Sequence, residues 1–137
     1  MFAKPVNNKS SILDERHKKR LQIVQNLYSA FFGKNNYMYN QQDVVLKTEK
    51  ILQNTEVIDT YIKKYAVKLP FDMIAKIDLS ILRLGIYELL FEKELPPKVI
   101  IDEAVDLAHE LGTEKSYAFV NAVLGKVYEE IKKAEKS

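Results

Sequence analysis

The chain has 137 residues, 47% of them hydrophobic, which is enough for one domain with a sizeable core and leaves no room for a separate larger catalytic domain. Cysteine is absent, which excludes disulfides, thiol nucleophiles and thiolate metal sites. The net charge of +2 is uneven, because residues 1–20 carry +4 and the remainder carries −2, so a local basic patch is expected.

Neither a membrane span nor a secretory signal is expected. No stretch reaches the roughly 18 consecutive apolar residues of a transmembrane helix. The N-terminal sequence MFAKPVNNKSS lacks the apolar run of a signal peptide. We therefore predict a cytoplasmic location, with residues 1–11 as a flexible polar tail.

Residues 12–137 are predicted to form a single all-α domain, because apolar residues recur at helical spacing and the chain has few Gly and Pro residues. About six helices are expected. The first runs from about Leu13 to Phe32 and ends at Gly33, which suits a helix C-cap. A polar and aromatic loop follows.

The next segment, from Gln42 to Tyr65, predicts two helices, with Asn54 or Thr55 as the cap of the second. A long fourth helix follows, with Asp72 as its expected N-cap. This helix is apolar around most of its circumference, which predicts a central position in the core.

The C-terminal part predicts two more helices. The fifth begins at Pro97, with Gly112 just past its end, and the sixth follows with Thr113 as a candidate cap. Arg83 stands inside the apolar fourth helix, where an unpaired charge is costly. We expect a partner from another helix, either a carboxylate or the Asn121 amide.

The first helix gathers cations at its start, where each is disfavoured by about 0.3–1 kcal/mol. Towards the start of this helix, the positions that continue its apolar stripe are occupied by Arg20 and His17. The helix is therefore expected to project beyond the core at these residues. Two interpretations remain open: a solvated charge run, or a surface for a phosphate backbone. The basic segment, residues 16–20, consists of Arg16, His17, Lys18, Lys19 and Arg20.

Nothing in the sequence indicates catalysis. Asp102, Glu103 and Asp106 cluster near the start of a helix, where acidic residues are favoured by the helix dipole. The two histidines, His17 and His109, lie on different helices without metal-ligand spacing. The chain has no nucleophile elbow and no phosphate-binding glycine loop. We therefore predict no enzyme activity, no cofactor and no metal.

Three segments in order, KIDLSILRLGIYELL, PPKVIIDEAVDLAHELG and SYAFVNAVL, resemble the NusB family of transcription antitermination factors. The likeness covers about Lys64 to Val127. The first helix is also similar to the arginine-rich start and QxLY element of the family, here Gln25, Leu27 and Tyr28.

The resemblance implies a NusB-like fold of two small helical bundles packed together, residues 12–68 and 69–137, and no enzyme activity. It implies binding of boxA RNA in ribosomal RNA leaders together with the ribosomal protein NusE. It further implies action with NusA and NusG on RNA polymerase, so that transcription resists termination. Whether the free protein is a monomer or a homodimer stays open.

When the functional positions of the family are transferred to the matching residues of this chain, the resemblance implies RNA contacts from the basic segment. It also implies RNA contacts from Lys115 and Ser116 before the last helix. It implies a NusE contact at Asp78, and Tyr28 is assigned to the same partner surface. Tyr28 and Tyr117 are alternatives for base stacking, which single-stranded RNA recognition requires, and packing within the fold is the other role expected for each.

The chain departs from the family at several positions. The stretch from Tyr28 to Asp59 is short by about one helix, Leu69 replaces a frequent tryptophan, and Ala122 replaces a glycine. Met73 and Leu79 stand where basic residues are frequent.

Two other functions are compatible with this fold. The first is the NusB-like domain of ribosomal RNA cytosine methyltransferases, which lacks support because no S-adenosylmethionine-binding domain and no catalytic cysteine are present. The second is a protein-interaction or ribosome-assembly module without sequence-specific RNA binding. The basic segment argues against the second rival.

Overall fold

The computed structural model describes residues 8–33 and 36–136, with side chains from Asp14 onward. These residues form six α-helices and one 3₁₀ turn and contain no strand, which confirms the all-α prediction. The helices are α1 (Asn8–Ala30), α2 (Gln42–Gln53), α3 (Thr55–Tyr65), α4 (Lys76–Phe91), α5 (Pro97–Leu111) and α6 (Ser116–Lys136).

Two helix starts differ from the sequence predictions. Helix α1 begins at Asn8, so residues 8–11 of the expected tail are helical, and residues 1–7 lie outside the described part. Asp72 does not cap α4 but lies in the 3₁₀ turn. The reason is the burial of Ile74, whose extended backbone separates the turn from a helix that begins at Lys76.

Helix α4 is the centre of the fold, as its apolar circumference predicts. It packs against each of the other five helices, and most of its side chains are buried. The contact with α6 is close, because a Cβ on Gly85 would lie 2.9 Å from Cδ1 of Leu124. None of the described helices combines the length and the apolar character needed to cross a membrane.

The buried residues of all six helices form one hydrophobic cluster. The division into two bundles at residue 68 therefore stays a prediction, since both groups of helices share this core. Arg83 is tied to α3, which confirms the expected carboxylate partner: its Nε and Nη2 donate to the Asp59 carboxylate at 3.0 and 2.8 Å. The guanidinium also lies 5.2 Å from the ring centre of Phe31.

The loop between α1 and α2 is held by one buried amide. Asn26 is fully buried, its Nδ2 donates to the Tyr39 carbonyl at 2.9 Å, and the Tyr39 N–H donates to Asn26 Oδ1 at 2.8 Å. This paired contact resembles one rung of a β-ladder. It fixes the loop in the region where the sequence is short for the family.

We expect Asn26→Ala to lower the free energy of unfolding by about 2–3 kcal/mol, because the two hydrogen bonds with the Tyr39 backbone and the longer one to Thr48 Oγ1 are lost. Urea denaturation measures the change. Asn121→Ala is the matched control, since Asn121 is exposed and should change stability by less than about 0.5 kcal/mol. Equal stability of both variants would contradict the assignment.

Candidate nucleic-acid interface

The cations of the basic segment do not all point towards one surface. Because successive helical residues are rotated by about 100°, residues 16–20 face several directions. Their partners lie on three different helices: Asp43 on α2, Glu88 on α4, and Glu103 and Glu110 on α5. The cations of this segment therefore differ in their surroundings and in their availability to a ligand.

Arg20 lies inside the fold. The residue is 7% exposed, and its Nε and Nη2 donate to the Glu88 carboxylate at 3.0 and 2.8 Å. Lys47 Nζ binds the same carboxylate at 3.0 Å, and Glu103 lies 3.6 Å from Arg20 Nη1. Burial alone would lower the pKa of Arg20, but the hydrogen bonds and attraction of Glu88 outweigh it, and the pKa is raised.

This position of Arg20 corrects two expectations. Arg20 was predicted to contact RNA, yet its guanidinium is enclosed and its charge is already neutralised by Glu88. Helix α1 was expected to leave the core at this point. Instead, the core continues as far as Arg20 because Glu88 on the central helix supplies a buried counter-charge.

His17 ties α1 to α5. Its Nδ1 lies 3.2 Å from Glu103 Oε2, and its Nε2 lies 2.5 Å from Glu110 Oε1. Carboxylate oxygens only accept hydrogen bonds, so this geometry fits the doubly protonated imidazolium. Burial alone would lower the pKa of His17, but the hydrogen bonds and charges of Glu110 and Glu103 outweigh it, and the pKa is raised.

This contact predicts a pH dependence of stability. Because the folded pKa of His17 lies above the ordinary value of 6.5, the contact contributes fully below pH 6.5 and is lost as the pH rises through the folded pKa. We expect the stability advantage of the wild type over His17→Gln to shrink across this range in urea denaturation. A pH-independent difference between the two proteins would contradict the imidazolium assignment.

Three cations of the basic segment are exposed. Lys19 Nζ lies 2.8 Å from Asp43 Oδ2, with both side chains about half exposed, and such surface pairs contribute little stability. Arg16 and Lys18 are exposed and make no ion pair within the described part of the chain. These two charges, and Lys19 if it releases Asp43, are available to an anionic ligand.

A groove of about 250 Å³ runs beside the exposed cations, between α1, α2 and the segment that joins α4 to α5. Its floor includes the buried side chains of Ile23, Val44 and Ile100, and Arg16 and Lys19 stand among its lining residues. The carboxylates of Asp43, Glu88, Glu92 and Glu94 also line it, so the groove places apolar surface next to charges of both signs.

The corner between α5 and α6 carries the other two predicted RNA residues. Lys115 is exposed, as expected. Ser116 is 2% exposed, and its Oγ accepts the Thr113 N–H at 2.9 Å. Ser116, which was expected at the RNA surface, is instead enclosed at the start of α6, where a Cβ on Gly112 would lie 2.4 Å from its Oγ.

The residues assigned to the protein partner lie beside a shallow depression. Tyr28 is 38% exposed, its ring lies 5.2 Å from that of Phe32, and both line this depression with Ile77. Asp78 follows Ile77 in the first turn of α4, and its Oδ1 is buried without a hydrogen-bond partner. An unpaired buried oxygen is costly, so a donor from outside the described residues would stabilise it.

The α5 carboxylates do not form a metal site in the part of the chain that the structure describes. Glu103 is bound to Arg20 and His17, whereas Asp102 and Asp106 are exposed. Glu88 and Glu103 are partners of the basic segment that the sequence alone does not predict. The one indication in the sequence that Arg20 is buried is its position on the helix, because Arg20 lies on the apolar stripe of α1.

Comparison with known proteins identifies relatives of this chain. The model of the NusB family matches residues 6–129. Transcription antitermination protein NusB of Natranaerobius thermophilus is 43% identical over 100 residues, which cover 73% of this chain and 69% of that protein. The protein of the same name from Caldicellulosiruptor saccharolyticus is 46% identical over 77 residues, 56% of this chain and 59% of that protein. The chain therefore spans about three fifths to two thirds of the length of these relatives.

Two solved structures share the fold. A structure of T. maritima NusB superimposes with a TM-score of 0.75 and 32% identity, covering 84% of this chain and 91% of that chain. The second is a crystal structure of the antitermination factors NusB and NusE in complex with dsRNA. It gives a TM-score of 0.69 and 26% identity over 84% of this chain and 96% of that chain.

Proposed function

Because the chain belongs to the NusB family, we propose that it is a transcription antitermination factor that acts as a non-catalytic RNA-binding adaptor. With NusE it binds boxA RNA of ribosomal RNA leaders. Together with NusA and NusG, the pair acts in the cytoplasm on RNA polymerase, so that the polymerase resists termination. The observation that carries this proposal is the group of exposed cations at the start of α1, two of which, Arg16 and Lys18, make no ion pair within the described part of the chain. The chain is also similar to a NusB that was crystallised with NusE and dsRNA.

The RNA surface consists of Arg16, Lys18 and Lys19 on α1, with Lys115 at the corner between α5 and α6. His17 and Glu110 join these two parts, because their contact links α1 to the end of α5. Arg20 and Ser116 act from inside the fold: Arg20 fixes α1 against α4, and Ser116 fixes the start of α6. Neither of them is assigned a direct RNA contact.

The NusE surface includes Tyr28 and Asp78. Three properties support it: the exposed aromatic rings, the shallow depression that they line, and the unpaired Asp78 oxygen. A lysine, arginine or backbone N–H from the partner would satisfy this oxygen. The surface lies on a different side of α1 from Lys19, since residues 19 and 28 are 180° apart on an ideal helix.

Titration of labelled boxA RNA tests the proposal. The chain is added alone and with NusE, and a scrambled RNA of the same length serves as the control. We expect selective binding of boxA that NusE strengthens. If the chain forms a complex with NusE but binds both RNAs equally, it is a protein-interaction or ribosome-assembly module without sequence-specific RNA binding.

A further inference from the structure

Two exposed aromatic rings stack on each other at the corner between α5 and α6. The rings of His109 and Tyr117 have centroids 4.3 Å apart and an interplanar angle of 19°. His109 stands in the last turn of α5, Tyr117 stands in the first turn of α6, and Tyr117 is 42% exposed. A pair of parallel rings on the surface presents a flat aromatic face to solvent.

The backbone between the two rings is closely packed. Gly112 leaves space for the buried Ser116, and the Ser116 hydroxyl accepts the Thr113 N–H. This contact fixes the start of α6 relative to the end of α5. The ring pair is therefore held in place before any ligand binds, which lowers the entropic cost of binding.

The ring pair adjoins the surface assigned to RNA. Glu110, the neighbour of His109, binds His17 of the basic segment. Lys115 is exposed two residues before Tyr117. Lys115 therefore brings a positive charge to the same corner of the fold as the aromatic face, and single-stranded nucleic acids require this combination of a cation for a phosphate and a ring for a base.

We propose that the His109–Tyr117 pair is a stacking platform for one base of single-stranded RNA, with the adjacent phosphate on Lys115. The proposal rests on the RNA-binding function proposed above and adds to it a second kind of contact. Stacking on an aromatic face tolerates any base, since every base has a flat π surface. The platform therefore supplies affinity and a fixed path for the strand, whereas discrimination between bases comes from other contacts.

The test compares Tyr117→Ala with Tyr117→Phe in complex with NusE and boxA RNA at several salt concentrations. We expect Tyr117→Ala to bind about tenfold more weakly with an unchanged salt dependence, because a base contact and no phosphate contact is lost. Tyr117→Phe keeps the ring and should bind within about twofold of the wild type. Lys115→Gln should instead reduce the slope of log K against log salt by about 0.7.

A fluorescent base provides a second measurement. The fluorescence of 2-aminopurine, placed in turn at each boxA position, should be quenched by the wild type and Tyr117→Phe at one position, and this quenching should be lost in Tyr117→Ala. His109→Ala repeats the test at an exposed residue in the last turn of α5, in case Tyr117→Ala does not fold. Unchanged affinity and quenching in both alanine variants would overturn the platform. Failure of the wild type to bind boxA with NusE would overturn the proposed function as well.

Discussion

Replacing Glu88 by Gln is expected to lower the free energy of unfolding by about 3 kcal/mol, near the lower end of the range for breaking a buried ion pair. The Glu88 carboxylate neutralises Arg20 and Lys47, and the side chains of Arg20 and Glu88 are 9% and 5% exposed. The neutral amide would leave the Arg20 guanidinium with only the more distant carboxylates of Glu103 and Glu92. Urea denaturation with an unchanged m-value measures the loss.

The matched control is Glu94→Gln, which removes an exposed carboxylate without an ion pair in the described part of the chain. This variant should change stability by less than about 0.5 kcal/mol. Replacing both charges, in Arg20→Met with Glu88→Leu, should recover part of the stability because no buried charge is left unpaired. If the free energy of unfolding of Glu88→Gln stayed within about 1 kcal/mol of the wild-type value, the Arg20–Glu88 ion pair would not stabilise the fold as described.

The second large effect is expected on RNA affinity. Replacing Arg16, Lys18 and Lys19 together by Gln should reduce the slope of log K against log salt by about two units, because each phosphate contact on a single strand contributes roughly 0.7. At about 0.1 M salt this corresponds to roughly a hundredfold weaker binding. Fluorescence anisotropy with labelled boxA RNA and NusE measures both quantities.

Two control variants distinguish the effect of where the removed charges lie from the effect of the change in total charge. Replacing Lys50, Lys68 and Lys126 by Gln removes the same number of exposed charges elsewhere on the surface and should leave most of the slope intact. Arg20→Gln should lower stability with little effect on the slope, since Arg20 is enclosed. Equal slopes for the two triple variants would place the RNA site outside the start of α1.

The helices could be predicted from the sequence because helical periodicity is a local property. The central position of α4 and the carboxylate partner of Arg83 followed from burial arguments on one segment. The start of α4 could not be predicted in this way. Asp72 has the local features of a helix cap, whereas the burial of Ile74 depends on the rest of the core.

The candidate site was predicted less completely, because pairing between distant residues decides which charges are free. Arg20 and Glu88 are 68 residues apart in sequence, and nothing in the basic segment alone distinguishes Arg20 from Lys18. Their positions around α1 distinguish Arg20 from Lys18 in part, since Arg20 continues the apolar stripe of the helix. Ser116 is a similar case, because its burial follows from the fit of Gly112 at a tight corner.

Photo-crosslinking of boxA RNA containing 4-thiouridine to the complex with NusE tests most directly where RNA lies on this protein. We expect crosslinked peptides from the start of α1, including residues 16–19, and from the corner at residues 109–117. A scrambled RNA should give weaker crosslinks at the same sites. Crosslinks confined to α3 or the C-terminal half of α6 would contradict the assignment of the RNA surface.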